Sequence, residues 1–232
     1  NQNSTSQTIT NDERTLLMQA ELYYNGGKYE SVIERYSSET LQKNPIVLNN
    51  LGYMYSKGIY FEQNFDEAIH YYELASQNGL DTALHNLVSL RLHNCKTFEE
   101  VVDVLRFGYD SNEKGTVLFL GSILEGRDLS EVEMTSQEQD LVIANIESFF
   151  GSDSETQANI LSASLRTEGH STKVSMNYPL SNQLYEDFTF LGTTTEYYGR
   201  GYITLYNYLK YNRAFLYDNF MQESFVSVVS SE

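Results

Sequence analysis

The side chains of this 232-residue chain best suited to chemistry are few and scattered. His70, His85, His93 and His170 are its histidines, and Cys95 is its single cysteine. His70 and Glu73 stand three apart, a spacing from which both reach one metal ion from one helical face. A di-metal carboxylate centre also needs further glutamates and a second Glu-x-x-His set on facing helices, and the sequence offers neither. His93 and Cys95 have no third and fourth ligand close by. Zinc coordination and Cys–His nucleophilic catalysis therefore both lack their remaining parts. Gly199-Arg200-Gly201 is not a phosphate loop, having neither a preceding strand nor a following lysine; Arg200 suits a turn or a carboxylate contact. Glu99-Glu100 and Glu131/Glu133 are acidic pairs in a chain with 32 acidic residues, so no two of them single themselves out as acid and base. The residues thus predict no catalytic centre, no metal and no cofactor, and the expectation is a protein that is not an enzyme.

Charge narrows the partners. The formal net charge of −17 repels nucleic-acid phosphates and anionic membrane surfaces. It keeps an apolar-rich chain dispersed and would also suit a basic protein partner. Hydrophobic residues make up 41% of the chain, enough for a continuous core. No stretch approaches the roughly 18 apolar residues of a membrane span, so no membrane insertion is expected. A lone cysteine predicts no internal disulfide. The chain starts at Asn1, which fits a processed or excised piece. Both a cytoplasmic location and a secreted or lumenal one after signal-peptide removal stay open.

The elements that must position any functional residue are helices in a repeat. The clearest unit runs from Ile46 to Gly79. Val47, Leu51, Met54 and Tyr55 recur at helical spacing, and so do Phe65, Ala68, Ile69, Tyr72 and Ala75. Two amphipathic helices joined by a loop follow from that spacing. Gly52 and Ala68 are small enough to let the pair approach closely. Gly58 and Gly79 fall where the helices should end and glycine accepts a left-handed cap. The run Leu51-Gly52, Met54-Tyr55, Gly58, Ala68, Tyr71-Tyr72, Ala75, Gly79 resembles a Sel1-like repeat, a relative of the tetratricopeptide repeat (TPR). The longer step from Gly58 to Ala68 matches the Sel1-like inter-helix loop. The usual second loop glycine falls on Tyr60 and the usual loop aspartate on Asn64.

Fainter echoes flank this unit. Ala20 to Ile33 is similar to the middle of a TPR. Downstream, Ala83, Leu84, Leu87, Val88 and Leu92 form one stripe, and Phe98, Val101, Val102, Leu105 and Tyr109 the next. Leu120-Gly121 recurs two periods of about 34 residues after Leu51-Gly52. A helix with Val142, Ile146, Phe149 and Phe150 follows, and Asp153 or Ser154 would cap its successor. The predicted organisation is a disordered segment at 1–12, helical repeats over 13–195, and a tyrosine-rich helical segment over 196–232. The fold class is all-α, a right-handed α-α superhelix of Sel1/TPR-like hairpins.

The resemblance implies a concave face lined by the first helix of each pair, where a peptide or helix of another protein docks. The polar and aromatic positions on those helices are Asn49, Asn50, Tyr53, Lys57, His85, Asn86 and Ser89. An asparagine side chain can pair with both the donor and the acceptor of a peptide backbone. Tyr202 and Tyr206 share a face in the tyrosine-rich segment, which is expected either to cap the solenoid or to dock a partner, a second copy of this chain included. The expected function is a protein-interaction scaffold or adaptor. The alternative is a Sel1-like hydrolase or small-molecule binder, although such relatives usually carry regularly spaced cysteine pairs.

Overall fold

Thr10 opens helix α1 (Asn11–Asn25) with a full capping box. Its hydroxyl accepts the Glu13 amide, and the Glu13 carboxylate accepts the Thr10 amide. In the computed structural model, residues 9–95, 98–125, 129, 132–157 and 221–229 are described. Helices α2 (Tyr29–Tyr36), α3 (Pro45–Lys57), α4 (Phe65–Gln77), α5 (Asp81–Asn94), α6 (Phe98–Asp110), α7 (Lys114–Glu125) and α8 (Ser136–Phe150) follow in order. Among the described residues there is no strand. Helix α1 starts at Asn11, inside the stretch expected to be disordered, because the Thr10–Glu13 pair satisfies the orphan amides of its first turn.

By contacts the chain divides into two compact units, Asn1–Arg91 with Gln222–Glu232, and Leu92–Met221. In the first unit α1 packs on α2 and α3 on α4. The α3–α4 hairpin is the sequence's clearest repeat, and its ends are set locally. The Asn44 side chain accepts the amides of Ile46 and Val47, and Pro45 takes the first helical position, where no amide is needed. Gly58 ends α3 in the left-handed conformation at φ 66°. Asn64 caps α4 by accepting the Glu67 amide, doing the work of the usual aspartate.

Leu17, Ala20, Val32, Tyr36, Leu41, Val47 and Met54 form one buried cluster. Ala68, Tyr72, Leu87 and Leu90 form another, with Tyr53 and Tyr55 against it. Gly52 lies where the two helices of the hairpin meet. A Cβ there would stand 2.8 Å from the Tyr72 ring and 3.1 Å from the Ala68 carbonyl oxygen.

Tyr60 occupies the usual second glycine position of the loop, and it adopts φ 67°. A left-handed backbone costs an ordinary L-residue roughly 1–2 kcal/mol. Tyr60 is exposed, so its side chain recovers little of that cost by burial. Tyr60→Gly should therefore raise stability by up to about 1 kcal/mol, glycine's greater unfolded-state entropy being subtracted. A thermal melt that falls on this substitution would show that the Tyr60 ring, set edge-on to Phe61 at 5.0 Å between centroids, outweighs the strain.

In the second unit α7 packs on α6 and α8. Gly121, two periods after Gly52, is again a close-packing position: an added Cβ would meet Leu129 and Val142 at 2.9 Å. The α8 N-terminus repeats the α1 device, with Thr135 and Glu138 as reciprocal capping partners. Thr135→Ala should cost about 1 kcal/mol in urea unfolding, while Ser136→Ala, outside the box, should cost little. Past α8 the Asp153 carboxylate accepts the Thr156 amide, so Asp153 is the cap of the turn that follows.

The tyrosine-rich stretch, with Tyr202, Tyr206 and Gly199-Arg200-Gly201, lies outside the described residues. The last described segment, 221–229, lies inside the stretch expected to be helical, and it is not helical. Its sequence explains the difference. Val226, Val228 and Val229 lose side-chain freedom in a helix, and the serines among them compete for backbone hydrogen bonds. The first unit also supplies the segment's backbone with partners from outside.

Candidate functional site

Residues of α1, α3 and α5 are arranged around the chain's own segment Gln222–Val229. Asn86 on α5 grips Ser224 at both backbone groups. Its Oδ1 accepts the Ser224 amide at 2.9 Å, and its Nδ2 donates to the Ser224 carbonyl at 2.8 Å. Asn50 on α3 does the same to Val226, with 2.8 Å from the amide and 3.1 Å to the carbonyl. Asn49 adds a second donor to the Ser224 carbonyl at 3.2 Å. On α1 the Glu21 carboxylate accepts the amides of Val228 at 2.7 Å and Val229 at 3.0 Å, and the hydroxyl of Ser227. Alternate helices, α5, α3 and α1, thus hold residues 224, 226 and 228. This two-residue period is that of an extended chain, whose alternate backbone groups face one side.

The three asparagines fix one another. Asn86 Nδ2 donates to Asn49 Oδ1 at 2.8 Å, Asn49 Nδ2 to Asn50 Oδ1 at 3.2 Å, and Asn50 Nδ2 to the Tyr36 oxygen at 3.1 Å. Each amide therefore has one orientation that satisfies all its partners. Turning Asn50 over would set its oxygen against the Val226 carbonyl and its nitrogen against the Val226 amide. Burial pushes the Tyr36 phenol up, so it stays neutral and available as the end of this relay. All three asparagines are buried, which makes their hydrogen bonds strong and any unmade one costly.

Glu223 and Phe225 make the segment's most specific side-chain contacts. Glu223 is buried, and its carboxylate accepts from Tyr72 Oη at 2.7 Å, Ser56 Oγ at 3.0 Å and Lys57 Nζ at 3.1 Å. Phe225 stacks on Tyr24 with centroids 4.1 Å apart and presents an edge to Tyr53 at 6.0 Å. Burial pushes the Tyr24 phenol up to about 12, so this platform carries no charge at neutral pH. Val226 and Val228 pack on the cluster around Leu17 and Val47. The Ser224 side chain points to solvent and contributes only backbone.

Of the residues singled out in the sequence, Asn49, Asn50, Tyr53, Lys57 and Asn86 gather around this segment. Asn49, Asn50 and Asn86 are buried, whereas positions spared by the core were expected to be open. Ser89 is buried too; its hydroxyl has no hydrogen-bond partner and takes no part in the clamp. His85 is half-buried on α5, one residue before Asn86. Sequence reasoning missed Glu21, Tyr24, Tyr36, Ser56 and Tyr72, and it missed the segment itself. Glu21 carried a signal, an acid beside the apolar positions Leu17, Ala20 and Tyr24. So did the run Phe225-Val226-Ser227-Val228-Val229, strand-like in an otherwise helical chain.

The residues weighed for metal chemistry are placed otherwise. His70 is exposed, while the Glu73 carboxylate pairs with Arg91 on α5. Cys95 is buried. Among the described residues no three His, Cys, Asp or Glu side chains group to hold a metal ion. Among them, too, no helix is long and apolar enough to cross a membrane.

The family model of the Sel1 repeat matches residues 45–80, the span from Pro45 at the start of α3 to the end of the loop after α4. Among solved structures, a Sel1 repeat protein from Oxalobacter formigenes is similar at 19% identity, over 83% of this chain and 82% of that one, with a TM-score of 0.40. No curated protein matches the chain in sequence. The chain thus carries a Sel1-like repeat at residues 45–80 within an all-α fold of helical hairpins.

Proposed function

We propose that helices α1, α3 and α5 form a clamp that binds an extended segment of a partner protein by its backbone, making the chain an interaction scaffold. One observation carries this reading: Asn50 and Asn86 each satisfy both the amide and the carbonyl of one residue, two residues apart. Such bonds ignore side-chain identity and demand only an extended backbone. Sel1/TPR-like arrays often serve protein–protein contacts through their helical faces, and the match of residues 45–80 to the Sel1 repeat, which includes Asn49, Asn50 and Lys57, supports this reading. The net negative charge suggested a basic partner. The clamp itself offers Lys57 to a carboxylate, so the local complementarity is to an acidic residue.

The test is displacement. A nine-residue peptide with the sequence of Met221–Val229, titrated into isotopically labelled full chain, should move the Ser224 and Val226 amide signals of the resident segment toward free-chain positions. Asn50→Asp and Asn86→Asp should each abolish uptake of the added peptide. Unmoved signals at millimolar peptide would overturn the proposal.

A further inference from the structure

Deepening that reading, and resting on it, we infer that the clamp is selective. It takes partner segments of the form Glu-x-aromatic-(Val/Ile), and the chain's own Gln222–Val229 is the resident occupant that such a partner must displace. The clamp reads some positions of the segment and ignores others. At Ser224 the bonds go to backbone while the side chain faces solvent, so this position carries no information. At Glu223 the reverse holds. Both carboxylate oxygens are engaged, Oε1 by Tyr72 and Oε2 by Ser56 and Lys57. A buried site that offers a carboxylate three donors, one of them cationic, discriminates against groups that cannot accept all of them. Glutamine would turn an amide nitrogen toward either Tyr72 or Lys57, and aspartate is one methylene too short to reach the same donors from the same backbone.

Two residues on, Phe225 lies on the flat face of Tyr24 and against the edge of Tyr53, whose other neighbour is the Lys57 ammonium at 5.7 Å from the ring centroid. An aromatic side chain fills such a slot, and an aliphatic one forfeits the ring–ring contact. Lys57 serves the Glu223 subsite and Tyr53 the Phe225 subsite, one turn apart on α3. The Glu–aromatic spacing is therefore fixed by the helix and not by the ligand. The Val226 position rests on the apolar cluster around Leu17 and Val47, where a β-branched residue favours the extended backbone the asparagines require.

A resident segment bound in cis enjoys a high effective concentration, so a partner of equal chemistry competes weakly until the segment is released or its contacts are weakened. The experiment uses the full chain carrying Glu223→Gln and Phe225→Ala, which weakens the resident segment without touching the clamp. Circular dichroism checks that its helices are kept. A fluorescent peptide with the sequence of Met221–Val229 should bind this variant at least about tenfold more tightly than it binds the wild-type chain. Peptides with glutamine for the glutamate, or alanine for the phenylalanine, should each bind at least about tenfold more weakly than the parent peptide. A peptide with alanine for Ser224 should bind as the parent does. In the clamp, Tyr72→Phe and Lys57→Met should each erase the preference for glutamate over glutamine.

If all peptides bind equally, selectivity is overturned while backbone capture stands. If none binds, capture itself falls and selectivity with it. Should the wild-type chain form a concentration-dependent dimer in sedimentation that added peptide dissolves, the occupant is a second copy's segment, and the assignment to a separate partner is overturned.

Discussion

Asn50→Asp should loosen the C-terminal segment by about 2–3 kcal/mol while leaving the helices formed. The substitution keeps the volume of the side chain and replaces its donor with an acceptor. Nδ2 now serves the Val226 carbonyl and the Tyr36 oxygen, and Oδ1 serves the Val226 amide and Asn49. In aspartate a second oxygen faces the Val226 carbonyl, so one attraction becomes a repulsion at a buried position. Tyr36 can turn its hydroxyl to donate, which spares that bond but breaks the relay's direction. Asn50→Ala removes the same bonds without adding charge and should cost less. The readout is hydrogen exchange at the Val226 amide, whose protection should fall roughly a hundredfold for a loss of this size. Unchanged protection would mean that the segment is held by Glu223 and Phe225 alone and that the asparagines are bystanders.

The hairpins were legible because their signals are local. Gly52, Gly58, Ala68 and Gly79 are fixed by sterics within a few tens of residues, and the apolar stripes of α3 and α4 follow the helical period. Asn64 for the usual aspartate and Tyr60 for the usual glycine kept the same roles at altered cost, one as a side-chain cap and the other as a left-handed residue. The asparagines were legible for a different reason. The sequence reads them as positions the core does not need, whose amides match both the donor and the acceptor of a peptide backbone, and the structure instead buries them.

What stayed hidden was the identity of that partner. Ser224 lies 138 positions from Asn86, and Val226 lies 176 from Asn50. No periodicity spans such a distance. Ser56 and Tyr72 were hidden for the same cause. Each looks like an ordinary helix residue until Glu223 is set against it. The single local clue, β-branched residues in a chain of helices, pointed to an extended segment without saying where it would lie.

Gly52→Ala tests whether repeat packing and ligand recognition are one structure. In an exposed helix this change stabilises by about 1 kcal/mol, since alanine is the better helix former. Here the sign should reverse, with a cost of about 2–3 kcal/mol in urea unfolding. The new Cβ would stand 2.8 Å from two ring carbons of Tyr72 and 3.1 Å from the Ala68 carbonyl oxygen. The second of these is backbone of α4, so it yields only if the whole helix retreats. The ring cannot swing aside either, because it is fully buried and its hydroxyl is engaged by Glu223. Ala68→Leu attacks the same contact from the other helix and should cost about 1–3 kcal/mol. Glu67→Leu, exposed and one residue earlier, should stay within about 0.5 kcal/mol. If Tyr72 transmits the strain, Gly52→Ala should also weaken the hold on Glu223 and expose the segment to proteolysis. Tyr72→Leu added to Gly52→Ala should then restore part of the lost stability by relieving the clash, although Tyr72→Leu alone is destabilising. A Gly52→Ala protein that melts at or above the wild-type temperature would show that α3 and α4 stand farther apart than this contact requires, and would uncouple the hairpin from the clamp.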